Sequence, residues 1–318
     1  MTLNRTHDCL NQPVNLPKRV ANFVSPERDS IYEAVSGQQR SSDVRDMAPY
    51  CTSHLILFPC SRCSHHTEVG SKTFQCTFYE IPDFEYENGC LPTEPFSLMD
   101  DTISVYDGSL TADLSDDIMV MGRFKTAHPG TLRLDGGALV PPFTGEKVCV
   151  KQLYVSRGEG KKGIARLKGR YELLALLTEC NCLRWASLLL DLTYKFIARE
   201  TERKGQSPAQ PIPQLRFTNT MIAVVKGEEK AFLVEQWIHT DEGNCQFVKY
   251  INNRLPRSCL SVFAPPGAFG RVEFLIFAQH VQWQKTGLAA FTSDYQGASN
   301  VLTNPQITSN PYVQSIFL

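Results

Sequence analysis

Between residues 164 and 203 apolar side chains recur at helical spacing: Leu173, Leu176, Leu177, Cys180, Leu183, Leu190, Tyr194 and Ile197. Side chains three and four apart share one face of a helix, so the stretch predicts one long helix or two abutting ones. Basic residues and Lys204-Gly205 close it. At 1.5 Å per residue it spans roughly 50 Å. Elsewhere the period is two. Residues 146–155 read as a valine-rich strand whose alternation puts Cys149, Lys151 and Leu153 on one face. Residues 119–127 predict a strand broken at Gly122. Residues 217–225 and 231–238 predict a hairpin turning at Lys226-Gly-Glu-Glu-Lys230. The apolar run 272–283 reads as a helix leading into a strand that ends at Asp294. Ser207-Pro-Ala-Gln-Pro-Ile-Pro213 is a stiff connector. The expected class is α+β, with an antiparallel sheet packed on the long helix.

The pattern divides the chain. Residues 1–48 lack apolar periodicity and are expected to be disordered. Residues 49–92 form a Cys/His-rich segment, residues 93–117 an acidic, turn-rich linker, and residues 118–318 the main domain. A chain of 318 residues with 42% hydrophobic and 20% charged residues has ample core. The net charge of −1 gives no field that would attract nucleic acid or a membrane. The first sixteen residues lack the apolar core of a secretory signal, and no run reaches the roughly 18 apolar residues of a membrane span. A cytoplasmic or nuclear location follows, in which the eleven cysteines are reduced thiols.

Three places carry candidate chemistry. Cys60-Ser-Arg-Cys63 has the gap that lets two sulfurs reach one Zn²⁺ at about 2.3 Å. Cys76 follows after twelve intervening residues, with Cys90 or a histidine as a fourth ligand; the competing reading is free thiols. Lys151 sits between apolar neighbours on one strand face and needs a partner for its charge. A nucleotide phosphate would serve, and so would water at a sheet edge. Asp294 and Gln296 are two apart at a strand end, so a carboxylate and an amide oxygen converge, a pair of hard ligands for Mg²⁺. Gly297 then permits a tight exit turn. The competing reading is a strand followed by an ordinary polar loop.

Asp294-x-Gln296-Gly297, followed by Leu302-Thr-Asn-Pro-Gln-Ile307, resembles the D-x-Q-G and T-D-P-Q signature of the alpha-kinases, the atypical protein kinases that include the myosin heavy-chain and elongation-factor kinases. Gly122–Gly130 with Val148-Cys-Val-Lys-Gln152 is similar to the opening of these domains, particularly in fungal members. Leu233-Val-Glu-Gln-Trp237 resembles the hinge, and Phe247-Val-Lys-Tyr-Ile-Asn-Asn253 the family's K-Y-N-N run. The resemblance implies a two-lobed α+β fold that binds ATP and Mg²⁺ and phosphorylates protein serine or threonine. It implies that Lys151 meets nucleotide phosphate, Glu235 stands at the adenine hinge, and Lys125 and Lys249 lie near the phosphates. It also puts Asp294 and Gln296 on Mg²⁺. His280 stands at the family's zinc histidine, but no histidine follows it and no cysteine follows Cys259, so that zinc site is incomplete and a core or cavity histidine is expected. Glu172 and Glu179 read as solvated helix charges rather than partners of Lys151.

Two departures bear on activity. Asn304 stands where the family has its catalytic aspartate, and the family's glycine-rich loop is absent, which makes the carboxy-terminal lobe incomplete. An amide cannot accept a substrate proton. The competing functions are an alpha-type protein kinase impaired at Asn304, and a pseudokinase or protein-interaction module with a zinc-binding amino-terminal segment. A zinc-knuckle nucleic-acid binder is disfavoured, because no basic–aromatic stripe is present. The expectation is weak Mg-ATP binding without measurable transfer, little restored by Asn304→Asp alone.

Overall fold

The computed structural model describes residues 70–82, 97–100, 102–114, 120–122, 124–135, 143, 147–156, 164–208, 210–238, 247–253, 257–265 and 267–310. In chain order the elements are β1 (Ser71–Glu80), β2 (Val105–Asp113), β3 (Val120–Met121), β4 (Lys125–Leu134), β5 (Lys147–Ser156), β6 (Ile164–Arg166), α1 (Gly169–Lys204), β7 (Arg216–Phe217), β8 (Thr220–Val225), β9 (Ala231–Gln236), β10 (Val248–Lys249), α2 (Ala268–Lys285), β11 (Ala290–Ser293), β12 (Gln296–Ala298), β13 (Val301–Thr303) and β14 (Gln306–Ser309).

Six strands close on themselves. β1 pairs with β2, β2 with β4, β4 with β5, β5 with β9, β9 with β8, and β8 with β1, all antiparallel. Alternation decides what fills the ring. Phe74, Cys76 and Phe78 of β1, Leu110 and Ala112 of β2, Val148 and Val150 of β5, Met221 and Ala223 of β8, and Phe232 and Val234 of β9 form one buried cluster. Closure leaves these strands without open edges, so Lys151 is not an edge residue: it faces Ala127 on one side and Leu233 on the other.

The ring revises the reading of the amino-terminal segments. The stretch 93–117, expected as a linker, carries β2. Its Asp107 and Asp113 alternate with Gly108, Leu110 and Ala112, so these two carboxylates lie on the outward face of a strand. Cys76, expected as a third zinc ligand, points into the ring, where burial pushes its thiol up to about 11. The core therefore takes it away from any metal. Cys60, Cys63 and Cys90 lie outside the described residues. No group of three potential metal ligands occurs among the described residues.

α1 is a single helix of 36 residues ended by Gly205 at φ 62°. Its first half packs Leu173, Leu176, Leu177 and Cys180 on Leu153, Ile222, Ala231 and Leu233, the outer face of the ring. Its second half packs Leu183, Ala186 and Leu190 with Phe217, Tyr250, Val272, Leu275, Tyr295 and Leu302. One helix thus serves as the spine of both lobes. It is long and apolar enough to cross a membrane, and 56% of its most apolar window is buried inside the fold. Residues 164–168, expected in the helix, instead include β6.

Two glutamates of α1 correct another expectation: neither is a solvated helix charge. Both are buried against the ring. Glu172 accepts a hydrogen bond from the Ala231 backbone N–H at 3.0 Å, and Glu179 pairs with Lys125. Burial pushes the Glu172 carboxyl up to about 7 from its ordinary 4.5, against the Ala231 N–H and the charges of Lys230 and Arg166. A carboxyl whose pKa is higher in the folded state contributes stability that is whole below about 4.5 and lost as pH rises through about 7. Glu172→Gln keeps the acceptor for Ala231 and removes the ionisation. It is expected to raise stability at pH 8 by up to about 3 kcal/mol, with little change near pH 5. Urea unfolding at the two pH values measures this, and an equal shift at both would contradict it.

The second lobe is built on one hairpin, 290–309. β12 and β13 pair antiparallel and join a four-stranded sheet in the order β10-β12-β13-β7, while β11 and β14 pair as a separate ribbon. α2 packs behind it. His280, expected in a core or cavity, lies on the exposed face of α2, while its neighbours Gln279, Val281 and Gln282 are buried.

Candidate functional site

Both strands of the hairpin change sheet at the same place. Ser293 pairs with Gln306, and Gln296 with Thr303, so Asp294-Tyr295 faces Asn304-Pro305 across the break. Asp294 and Asn304 both adopt left-handed backbone, at φ 60° and 56°. Asp and Asn are the non-glycine residues that enter this region at least cost. The kink, rather than a strand's alternation, therefore orients Asp294, and the expectation that Asp294 and Gln296 share a strand face does not hold. What the fold brings together instead is Asp294 and Asn304, on facing chains of one kink.

The kink is held from two sides, by α2 and by the 249–253 run. On α2, Gln282 Oε1 accepts the Thr292 N–H at 2.8 Å and the Gln279 amide donates to the Thr292 carbonyl at 3.0 Å. These bonds fix the strand that ends one residue before Asp294. From the K-Y-I-N-N run, Tyr250 N–H donates to the Tyr295 carbonyl at 2.9 Å, and Asn253 Nδ2 to Gln306 Oε1 at 2.8 Å. Lys249, opposite Gln296 in the ladder, closes on Asp294 Oδ1 as an ion pair without hydrogen-bond angles. Lys249 is 44% exposed and the Asp294 side chain only 8%.

Gly297 is required by close approach, not by a turn. It lies within β12 opposite Leu302, where a Cβ would stand 2.0 Å from the Val301 carbonyl oxygen. The turn itself is Ser299-Asn300, with Ser299 at φ 52°. Gly297→Ala is expected to cost about 3 kcal/mol or more, because backbone has to move. Gly270→Ala on α2 meets nothing within 4 Å and should stabilise by about 0.5–1 kcal/mol. Urea midpoints of the two proteins measure the contrast; a mild Gly297→Ala would contradict the register.

The first lobe contributes a buried triad. Lys151 Nζ is 2.6 Å from Glu235 Oε1 and donates to Thr303 Oγ1 at 3.0 Å, while Thr303 Oγ1 donates to Glu235 Oε2 at 2.6 Å. All three residues are less than 10% exposed. Desolvation favours the neutral amine, but the Glu235 and Glu179 carboxylates outweigh it, so the Lys151 pKa is raised. Beside it, Lys125 Nζ is 2.5 Å from Glu179 Oε2. Lys125 is the first residue of β4. Burial pushes the Cys149 thiol up to about 12.

Lys151 and Glu235 thus meet the hairpin at Thr303, the ladder partner of Gln296 and the neighbour of Asn304, while Lys249 pairs with Asp294 at the kink itself. Sequence reading overlooked Thr303, Gln279 and Gln282. Thr303 alternates with buried Leu302, so a polar residue buried beside it was the available signal. A separate apolar cavity of about 620 Å³ lies between the end of α1, the 206–213 connector and the start of α2, lined by Phe196, Ile197, Phe274 and Phe277. No candidate residue lines it.

Solved structures similar to this chain include the alpha-kinase domain of myosin-II heavy chain kinase A in complex with AMP-PNP, 13% identical at a TM-score of 0.41, over 75% of this chain and 83% of that one. The AMP complex of the domain is 13% identical at 0.42, over 75% and 85%. A form described as C-terminally truncated is 12% identical at 0.42, over 75% and 85%. No curated protein matches the sequence. Residues 147–314, more than half of the chain and including Lys151, Glu235, Lys249, Asp294 and Asn304, match the profile of the alpha-kinase family. This chain belongs to the alpha-kinase family.

Proposed function

We propose that the site where the 290–309 hairpin meets the ring binds ATP, and that phosphoryl transfer to protein serine or threonine is impaired in this chain. The observation that carries the reading is the placement of Lys151, a buried ammonium in a fully paired strand, against the hairpin that bears the D-x-Q-G residues. Phosphoryl transfer needs mainly positioning and charge stabilisation. Lys151 would neutralise phosphate charge, and the 233–237 strand would meet adenine through its backbone.

The family implies Mg²⁺ with the nucleotide. The carboxylate of Asp294 and the amide of Gln296, both buried hard-oxygen donors, fit an ion that takes one or two carboxylates and completes its shell with substrate phosphates and water. When bound, the ion would supply positive charge against the phosphates.

Impairment follows from the charges at the kink. Asn304 contributes none, and Asp294 is already paired with Lys249. The amide can take no proton from a substrate hydroxyl. Binding of a fluorescent ATP analogue, set beside radiolabel transfer from ATP to a basic protein, tests both halves. Binding without transfer is expected. Robust transfer by the unaltered chain would overturn the impairment.

A further inference from the structure

We infer that Thr303 is a positioning residue that fixes the direction in which Lys151 presents its ammonium to a nucleotide phosphate. The inference rests on the nucleotide reading of this site. An ammonium has three N–H donors in a tetrahedral arrangement. One meets Glu235 and a second meets Thr303. With the side-chain stem and two acceptors fixed, the third N–H has one direction left, and it has no acceptor among the described residues. Glu235 alone would leave the ammonium free to rotate about the ion pair.

The hydroxyl also closes the circuit. It accepts from Lys151 and donates to Glu235 Oε2, so each carboxylate oxygen has its own partner. A valine of the same shape can do neither, and a serine can do both. Thr303 is also the neighbour of Asn304 and the ladder partner of Gln296. The clasp therefore ties the ammonium to the strand that bears the kink, across the boundary between the lobes. Charge-assisted bonds of this kind, in a site away from water, are the strong ones.

The test compares Mg-ATP and adenosine as titrants of the full chain. Adenosine has no phosphate for Lys151 to hold. Thr303→Val is expected to weaken Mg-ATP binding on the order of tenfold and to leave adenosine binding within about twofold; Thr303→Ser is expected to recover the loss. An equal loss for both ligands, or failure of serine to rescue, would reduce Thr303 to a structural residue. Urea unfolding supplies a readout that needs no nucleotide. The midpoint loss caused by Thr303→Val should fall to about half or less when Lys151→Met and Glu235→Leu are already present. Additive losses would overturn the clasp. An unaltered chain that binds no Mg-ATP, yet shows non-additive losses, would sink the nucleotide reading and with it the ligand role of Thr303, leaving the clasp as a bond between the lobes.

Discussion

Lys151→Met is expected to cost about 3–5 kcal/mol of folding stability, the range for removing one partner of a buried ion pair. The cost comes less from the lost attraction than from what is left behind. Glu235 remains 4% exposed, its charge unpaired, with only the Thr303 hydroxyl still donating to it. The double substitution Lys151→Met/Glu235→Leu removes both charges and is expected to recover most of the stability, since apolar replacement of a whole buried pair is often neutral. Urea unfolding of the three proteins measures this, and a double variant no more stable than Lys151→Met would contradict it. Because the Lys151 pKa is raised when folded, its contribution is whole below the ordinary 10.5 and is lost as pH rises through the folded value. The penalty of Lys151→Met should therefore stay constant from pH 6 to 9 and shrink only in strong alkali.

Transfer of phosphate to a basic protein by the unaltered chain is expected to lie below detection. Asn304→Asp is expected to raise it by less than about tenfold, short of the roughly 10²- to 10⁴-fold that a restored general base supplies when nothing else is wrong. The backbone tolerates the change, since aspartate enters left-handed conformation about as readily as asparagine. The difficulty is charge. Asp294 faces Asn304 across the kink, and Lys249 already pairs with Asp294. A second carboxylate would add repulsion that only a bound cation relieves. Radiolabel transfer by the two proteins, read across Mg²⁺ concentration, is the measurement. A gain of a thousandfold or more would make the amide the sole defect.

The helix, the hairpin of β8 and β9, and the strand bearing Lys151 were legible because periodicity is local. Residues 173–197 carry a 3.6-residue stripe, and residues 147–153 a two-residue one, whatever they pack against. The closed ring was not legible. Closure depends on β1 meeting both β2 and β8, a pairing between residues more than a hundred positions apart. The acidic look of residues 93–117 hid β2 because its carboxylates face outward while glycine, leucine and alanine face in. Cys76 shows the same limit: spacing suits it to a metal, and alternation places it in the core.

At the site, the family motifs located the residues but not their partners. Glu235, placed at a hinge by resemblance, is the counter-ion of Lys151, because alternation sends its side chain to the same outer face of the ring. Lys125, placed near the phosphates by resemblance, begins a strand and pairs with Glu179, a residue 54 positions away. Asp294 and Gln296 looked like two teeth of one strand. The left-handed kink at Asp294 breaks that strand, and such a kink is visible only when its facing chain, with Asn304, is in place.

A nucleotide site centred on Lys151 is tested by calorimetric titration of Mg-ATP into the full chain and into Lys151→Met/Glu235→Leu, whose fold is expected to survive because both buried charges are removed together. The account predicts saturable binding by the unaltered chain and at least a tenfold weaker affinity, about 1.4 kcal/mol, for the double variant. Equal affinity in the two proteins would contradict it.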